Sequence, residues 1–260
     1  MQGQVQQAPV FLPPHEKFAL PSKGLAYKNE IPDTIEIRAM TSVEESILTS
    51  ERLIKSGEAI DMVFANCIKG DVNVKELLSA DKMAILLWLR AASYGPLYNI
   101  EVECPSCRFK FERTVNLETD LAVNYAPDDF QEPLTIALPR TKKKVLFQLP
   151  RAKHEDIVAK LKEAAENQAK GRLLIDRSMI ERMLLCIVDV EGVDKVFWRT
   201  WLENLVAGDT SVLRDALTKD YFGVDTTLFF RCKKCDHEWD SPMPITKNFF
   251  RTHTGPSTVQ

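Results

Sequence analysis

Histidine is scarce in this chain, long apolar runs are missing, and the charge balance is not basic. Four histidines stand among 260 residues, and 34 basic side chains face 37 acidic ones for a net charge of −3. That balance gives no electrostatic case for a nucleic-acid partner. No apolar run reaches the ~18 residues that span a bilayer. Residues 1–19 have neither the basic start nor the apolar stretch of a secretory signal. There is no GxGxxG, P-loop, GxSxG or HExxH pattern. His15 and His253 lie in the terminal stretches, His154 opens a helical pattern, and His237 follows a cysteine pair. No nucleophile–base arrangement stands out, and the carboxylates fall on amphipathic helix faces. The residues therefore point away from an enzyme, a small-molecule substrate, nucleic acid and membrane insertion.

What is there, and organises the rest, is two short cysteine pairs, Cys104-Pro105-Ser106-Cys107 and Cys232-Lys233-Lys234-Cys235. A two-residue gap lets one tight turn aim two sulfurs at one ion, and two such turns complete the closed tetrahedral shell of structural zinc. β-rich flanks, Ile100-Glu101-Val102-Glu103 and Leu228-Phe229-Phe230-Arg231 among them, place each pair at the tip of a hairpin, as in a zinc ribbon. Cys104, Cys107, Cys232 and Cys235 are thus expected to hold one Zn2+ per chain. Four sulfurs fill the shell, so no open position remains for a Lewis-acid role. The usual spacing between ribbon knuckles is roughly 15–20 residues. Here the second pair lies far down the chain, so the ion joins mid-chain to C-terminus. Cys67 and Cys186 sit in apolar helical patterns and read as core.

Along the chain, residues 1–19 read as an extended Gln- and Pro-rich arm carrying Val10-Phe11-Leu12. Leu20 to Gly24 reads as a turn and Thr34–Arg38 as a short strand. Thr41-Ser42-Val43-Glu44 is a capping box that predicts a helix to about Lys55, stopped by Gly57, with a second helix over 58–68. Ser79-Ala80-Asp81 starts a helix from Lys82 to about Tyr94, apolar nearly all round and therefore central. Leu134–Leu138 and Val145–Leu149 predict a hairpin with a basic tip at 140–144, a solvated loop or a contact for phosphate or an acidic protein. Residues 151–222 read as helical. Ile157, Val158, Leu161, Ala164 and Ala165 line one helix, which Gly171 breaks. Ile180, Met183, Leu184, Ile187 and Val188 line the next, capped by Asp176. Phe197, Trp198, Trp201, Leu202, Leu205 and Val206 line a third, and Asp209 caps a fourth. Residues 241–260 read as an extended tail.

The expected fold class is α+β: a mostly helical body with short β-hairpins and a zinc-ribbon-like site of four cysteines. The expected divisions are an arm at 1–19, an α-rich domain at 20–98, a ribbon from 99–115 plus 226–241, an inserted hairpin and helical domain at 116–225, and a tail at 242–260. Phe11, Leu12, Phe249 and Phe250 are apolar residues on segments too polar to fold alone. They are expected to dock, on a partner or on the chain's own body.

Several stretches, taken in order, resemble the baseplate hub proteins of contractile-tailed bacteriophages. They are Leu20-Pro21-Ser22-Lys23-Gly24-Leu25-Ala26-Tyr27 with the following strand and helix start, Asp81-Lys82 through Leu89-Arg90 to Tyr94-Gly95-Pro96-Leu97-Tyr98, the first cysteine pair, and the second pair with Asn248-Phe249-Phe250-Arg251. Two departures are Arg108, where a ribbon prefers glycine, and a longer arm before Leu20. The resemblance implies a structural, non-enzymatic virion component of the tail baseplate, made in the bacterial cytoplasm and assembling with other baseplate and tail proteins. An assembly chaperone for the hub that leaves before maturation is the alternative within that class. A zinc-ribbon nucleic-acid binder is the alternative outside it, favoured only by the lysines at 142–144 and 233–234.

Overall fold

The computed structural model describes residues 11–28, 30–169, 176–245 and 249–250. In chain order the elements are β1 (His15–Ala19), β2 (Thr34–Arg38), α1 (Ser42–Thr49), α2 (Glu51–Ser56), α3 (Ala59–Cys67), α4 (Ser79–Tyr94), β3 (Leu97–Glu103) and β4 (Lys110–Asn116). There follow β5 (Ala122–Asn124), β6 (Leu134–Ala137), β7 (Lys144–Phe147), α5 (Ala152–Ala169), α6 (Ser178–Cys186) and β8 (Ile187–Val190). The chain closes with α7 (Trp198–Glu203), α8 (Ala207–Thr218), β9 (Gly223–Asp225), β10 (Thr227–Arg231) and β11 (Glu238–Pro242). The body is therefore mixed α/β, not mostly helical. Among the described residues its strands are short and scattered over four two-stranded sheets and one three-stranded sheet, so no single sheet dominates.

The first departure is at the start. The last five residues of the expected arm form β1, antiparallel to β2, with His15 opposite Arg38 and Ala19 opposite Thr34. Alternation in Thr34-Ile35-Glu36-Ile37-Arg38 buries Ile35 and Ile37, and a strand so half-buried needs a partner for its other ladder edge. The capping box forms as expected: Glu44 accepts from the Thr41 N–H at 2.8 Å. The helix it opens is nevertheless cut at Ser50, whose backbone is extended, and resumes as α2 until Gly57 in the left-handed region. Thr49 explains the interruption locally, because its hydroxyl donates to the Glu45 and Ser46 carbonyls and competes with the helix ladder.

At the centre lies α4, which begins three residues before the expected Lys82. Asp81 does not cap it. Its carboxylate is fully buried and accepts from the Ser22 N–H at 2.9 Å and from the Tyr27 hydroxyl. That hydroxyl in turn accepts from the Leu78 N–H at 2.9 Å. The Leu20–Tyr27 turn is thereby pinned to the helix start. Gly24 has φ 70, and a Cβ there would stand 2.9 Å from the Asp33 nitrogen, so the turn admits glycine alone. The Pro21 carbonyl accepts from the Ala126 N–H, and the Ala26 carbonyl from Arg151, which also pairs with Glu132 at 2.6 Å. Two motifs distant in sequence thus form one buried polar node. One apolar cluster built around it takes Phe64 and Ile85 from the first half, and Phe147, Met183 and Trp198 from the second.

The expected hairpin forms as β6 and β7 with its basic tip. It gains a third strand: Ile187 and Val188 leave the helical pattern, α6 ends at Cys186, and β8 pairs with β7. Two β-branched residues in sequence suit that half-buried strand better than a helix. On α5 only Val158 of the large apolar residues is buried, while Ile157 and Leu161 are exposed. The expected tryptophan-bearing helix is split, and Phe197 and Val206 point to solvent while Trp198 and Leu202 are buried. The Asp176 carboxylate does satisfy the Ser178 N–H at the head of α6. Gly171 lies outside the described residues.

Candidate metal centre

Two hairpins build the site. β3 and β4 pair antiparallel, Leu97 opposite Asn116 and Glu103 opposite Lys110, and β10 and β11 pair with Arg231 opposite Glu238. Alternation puts Tyr98, Ile100 and Val102 on one inner face and Leu228 and Phe230 on the other. Between them Trp239 stacks on Phe230 at 5.4 Å and meets Phe111 edge-on at 6.3 Å. Arg113 lies over the Phe230 ring at 5.0 Å and donates to the Phe229 carbonyl, tying one hairpin to the other.

The two cysteine turns are copies of each other. Cys104 N–H donates to the Phe109 carbonyl at 2.9 Å, and Arg108 N–H to the Cys104 carbonyl at 2.9 Å. In the second turn Cys232 N–H donates to the His237 carbonyl at 2.9 Å, and Asp236 N–H to the Cys232 carbonyl at 3.0 Å. The residue after each pair is left-handed, Arg108 at φ 61 and Asp236 at φ 54. This is the position where a ribbon prefers glycine. Here a basic and an acidic residue accept the strained backbone, and Arg108 also pairs with Glu103 at 2.8 Å.

All four sulfurs lie within 4.8 Å of one another. Cys104 and Cys235 are 3.8 Å apart, and Cys107 and Cys232 are 3.6 Å apart. Disulfide sulfurs would stand at ~2.05 Å. Sulfurs each ~2.3 Å from a central zinc form a tetrahedron with edges of about 3.8 Å. The donor set, spacing and closure therefore fit a metal. The electrostatics point the same way. Burial works against the Cys232 thiolate, yet the N–H groups of Lys234 and Cys235 and the neighbouring thiols bring its pKa down to about 7. The Cys235 thiolate is favoured by the His237 N–H, but the crowding sulfurs of Cys107, Cys232 and Cys104 push it up to about 12. The Cys232 thiolate is favoured and the Cys235 thiolate opposed, an imbalance that a cation among the sulfurs would remove. His237 stacks on Trp239 at 5.8 Å and is not part of the sulfur cluster. Cys67 and Cys186 are both buried, and burial raises their thiols to about 11 and about 12.

Of the two expected placements, a partner or the chain's own body, the C-terminal aromatics lie on the chain's own body. Phe249 is 2% exposed, 5.0 Å from Tyr98 in an edge-on contact, and its carbonyl accepts from Arg90 Nε at 2.7 Å. It is a latch onto its own body, because Arg90 on α4 needs a buried acceptor and Tyr98 offers a ring face. Phe250 is half-buried and packs against both apolar clusters. Phe11 is 88% exposed and Leu12 is 53% exposed, so that pair stands open to solvent. Residues 246–248 and 251–260 lie outside the described set, as do residues 1–10. Sequence reasoning passed over Arg90 and Asp81. Both were signalled by being charged on a helix otherwise apolar all round, where a charge must find a buried partner.

The fold and site define a mixed α/β body whose mid-chain and C-terminal hairpins meet at four cysteines. A family model described as T4 bacteriophage base plate protein matches residues 15–251, and the chain belongs to that family. It is accordingly a baseplate structural protein of a phage tail, in contact with other tail and baseplate proteins, and membership in a structural family points away from catalysis. No curated protein and no solved structure matches the chain. Among the described residues, no helix is long and apolar enough to cross a membrane.

Proposed function

We propose that the protein is a structural component of the hub region of a contractile-tail baseplate, that it stays in the mature virion, and that it assembles there through protein–protein contacts. Assembly takes place in the bacterial host cytoplasm before the tail is completed. The family match over nearly the whole described chain carries this reading. In it, Cys104, Cys107, Cys232 and Cys235 hold one structural Zn2+. The ion staples the two hairpins and keeps the arm-bearing body rigid, without touching a substrate. The outward arm, with Phe11 and Leu12 ahead of Pro13 and Pro14, reaches a neighbouring subunit.

Mass spectrometry of purified tails, together with metal analysis of the purified chain, tests both parts. The expected result is the chain in mature particles and about one zinc per chain. A chain found only in assembly intermediates is a departing chaperone, and the hub reading fails. Metal-free protein with reactive thiols sinks the zinc assignment on its own.

A further inference from the structure

We propose that the end of the molecule formed by the β6–β7 tip, the turn at 191–197 and the start of α8 is a docking surface for an acidic face of another tail protein. The proposal rests on the baseplate reading and names the partner chemistry at one surface.

Three loops meet there. The Lys143 ammonium donates to the Glu191 carbonyl at 2.9 Å and would crowd a side chain at Gly192. The β6–β7 tip also lies against α8, where the Arg140 side chain comes within 4.0 Å of a Cβ built on Gly208. The tip is held rigidly. Arg140 and Thr141 donate their N–H groups to the two oxygens of Asp209, each at 2.8 Å, and Asp209 has no exposed surface. Lys142 sits at φ 60, a conformation costly for a lysine and kept by that frame. The buried carboxylate satisfies two N–H groups of the turn and holds it in one conformation. A loop that presents its side chains gains preorganisation, since less ordering cost remains at binding.

The surface is positive on balance: Arg140, Lys142, Lys143, Lys144 and Lys195 stand against Glu191, Asp194 and the buried Asp209. Among the described residues none of Arg140, Lys142, Lys143, Lys144 or Lys195 forms an ion pair, whereas Arg38, Arg151, Arg182 and Arg199 each hold a glutamate. Apolar side chains stand exposed on the same loops: Val196 at 81%, Phe197 at 61% and Val206 at 55%. Apolar anchors with a basic rim have the composition of a protein interface. Nucleic acid fits less well, because two of the three anchors are valines, which offer no ring for base stacking.

The test places the photoreactive p-benzoylphenylalanine at Val196 of the full chain, irradiates purified tails, and maps the adduct by mass spectrometry. The expected adduct is to an Asp/Glu-rich segment of a different tail protein. It should fall at least tenfold when Arg140→Glu and Lys142→Glu are combined with the probe, with the chain still folded by circular dichroism and its metal content unchanged. An adduct to DNA, to lipid or to a second copy of this chain overturns the proposal, as does one indifferent to the charge reversal. If the chain is in the tails and no adduct forms, this inference alone falls. If the chain is absent from tails, the baseplate reading falls with it.

Discussion

The molecule has two apolar cores that are stabilised in different ways. Among the described residues the larger cluster holds thirty buried side chains, from Leu20 to Phe222, and the ribbon cluster holds twelve. The larger one closes around buried polar partners, Asp81 with Ser22 and Tyr27, and Arg151 with Glu132. The smaller one is two short hairpins, a few aromatic rings and four sulfurs. A single isolated hairpin is marginal in water, and a core this small usually needs a staple. The larger core rests on burial and satisfied hydrogen bonds, whereas the smaller, in the zinc-bound form proposed above, gains a cross-link between its two hairpins. α4 belongs to both, with Ile85 and Leu89 facing the larger core and Leu87 and Ala91 facing the smaller.

The largest effect that would separate the two is loss of the proposed zinc. Cys232→Ser, or strong chelation, is expected to release β3, β4, β10 and β11 while α6 and the β6–β7–β8 sheet stay protected. Structural zinc contributes about 10–16 kcal/mol of binding in small domains, so its loss should empty the ribbon of slow-exchanging amides. Hydrogen exchange read by mass spectrometry decides it. Equal loss of protection in both cores would show that they are one cooperative unit.

Next in size is the polar node of the larger core. Asp81→Ala leaves the Ser22 N–H and the Tyr27 hydroxyl buried without their acceptor, at a cost of about 3–5 kcal/mol. Urea unfolding should show the loss in the larger core with metal content unchanged. A change below about 1 kcal/mol would mean that water replaces the carboxylate and the node is not structural.

The smallest and most graded effect is on acidification. Burial opposes the Glu44 carboxylate, but Arg38 and the Thr41 N–H and hydroxyl outweigh it and hold its pKa down to about 2. Burial, reinforced by Lys153 and Arg151, holds His154 down to about 4. Both folded values are depressed, so each contributes stability above its unfolded value and loses it as pH falls. The His154 share disappears between pH ~6.5 and about 4, and the Glu44 share between ~4.5 and about 2, each up to about 3 kcal/mol. His154→Gln should flatten the first interval only, and Glu44→Gln the second. Unfolding curves against pH that stay parallel to the parent for both variants would refute this assignment.

Much of the site was legible before the fold. Cys-x-x-Cys spacing is a local property, since a two-residue gap dictates a turn with both sulfurs on one side, and alternation in the flanks dictates hairpins. The capping box at Thr41 and Glu44 is local in the same way. The helix break at Ser50 and the change from α6 to β8 at Ile187 were not legible. They depend on a competing hydroxyl in one case and on the free ladder edge of β7 in the other, and neither shows in periodicity.

The knuckles, the central apolar helix and the basic hairpin follow from local sequence, because each depends on residues within one turn, one helix or one strand pair. Packing of the folded chain settles that the two cysteine pairs share one cluster, that Asp81 serves the Ser22–Tyr27 turn and not a helix end, and that Phe249 is buried against Tyr98 while Phe11 is exposed. Those outcomes rest on contacts between residues tens to more than a hundred positions apart. There the deciding quantity is which buried donor finds which acceptor, and that choice is made by the packing of the whole chain.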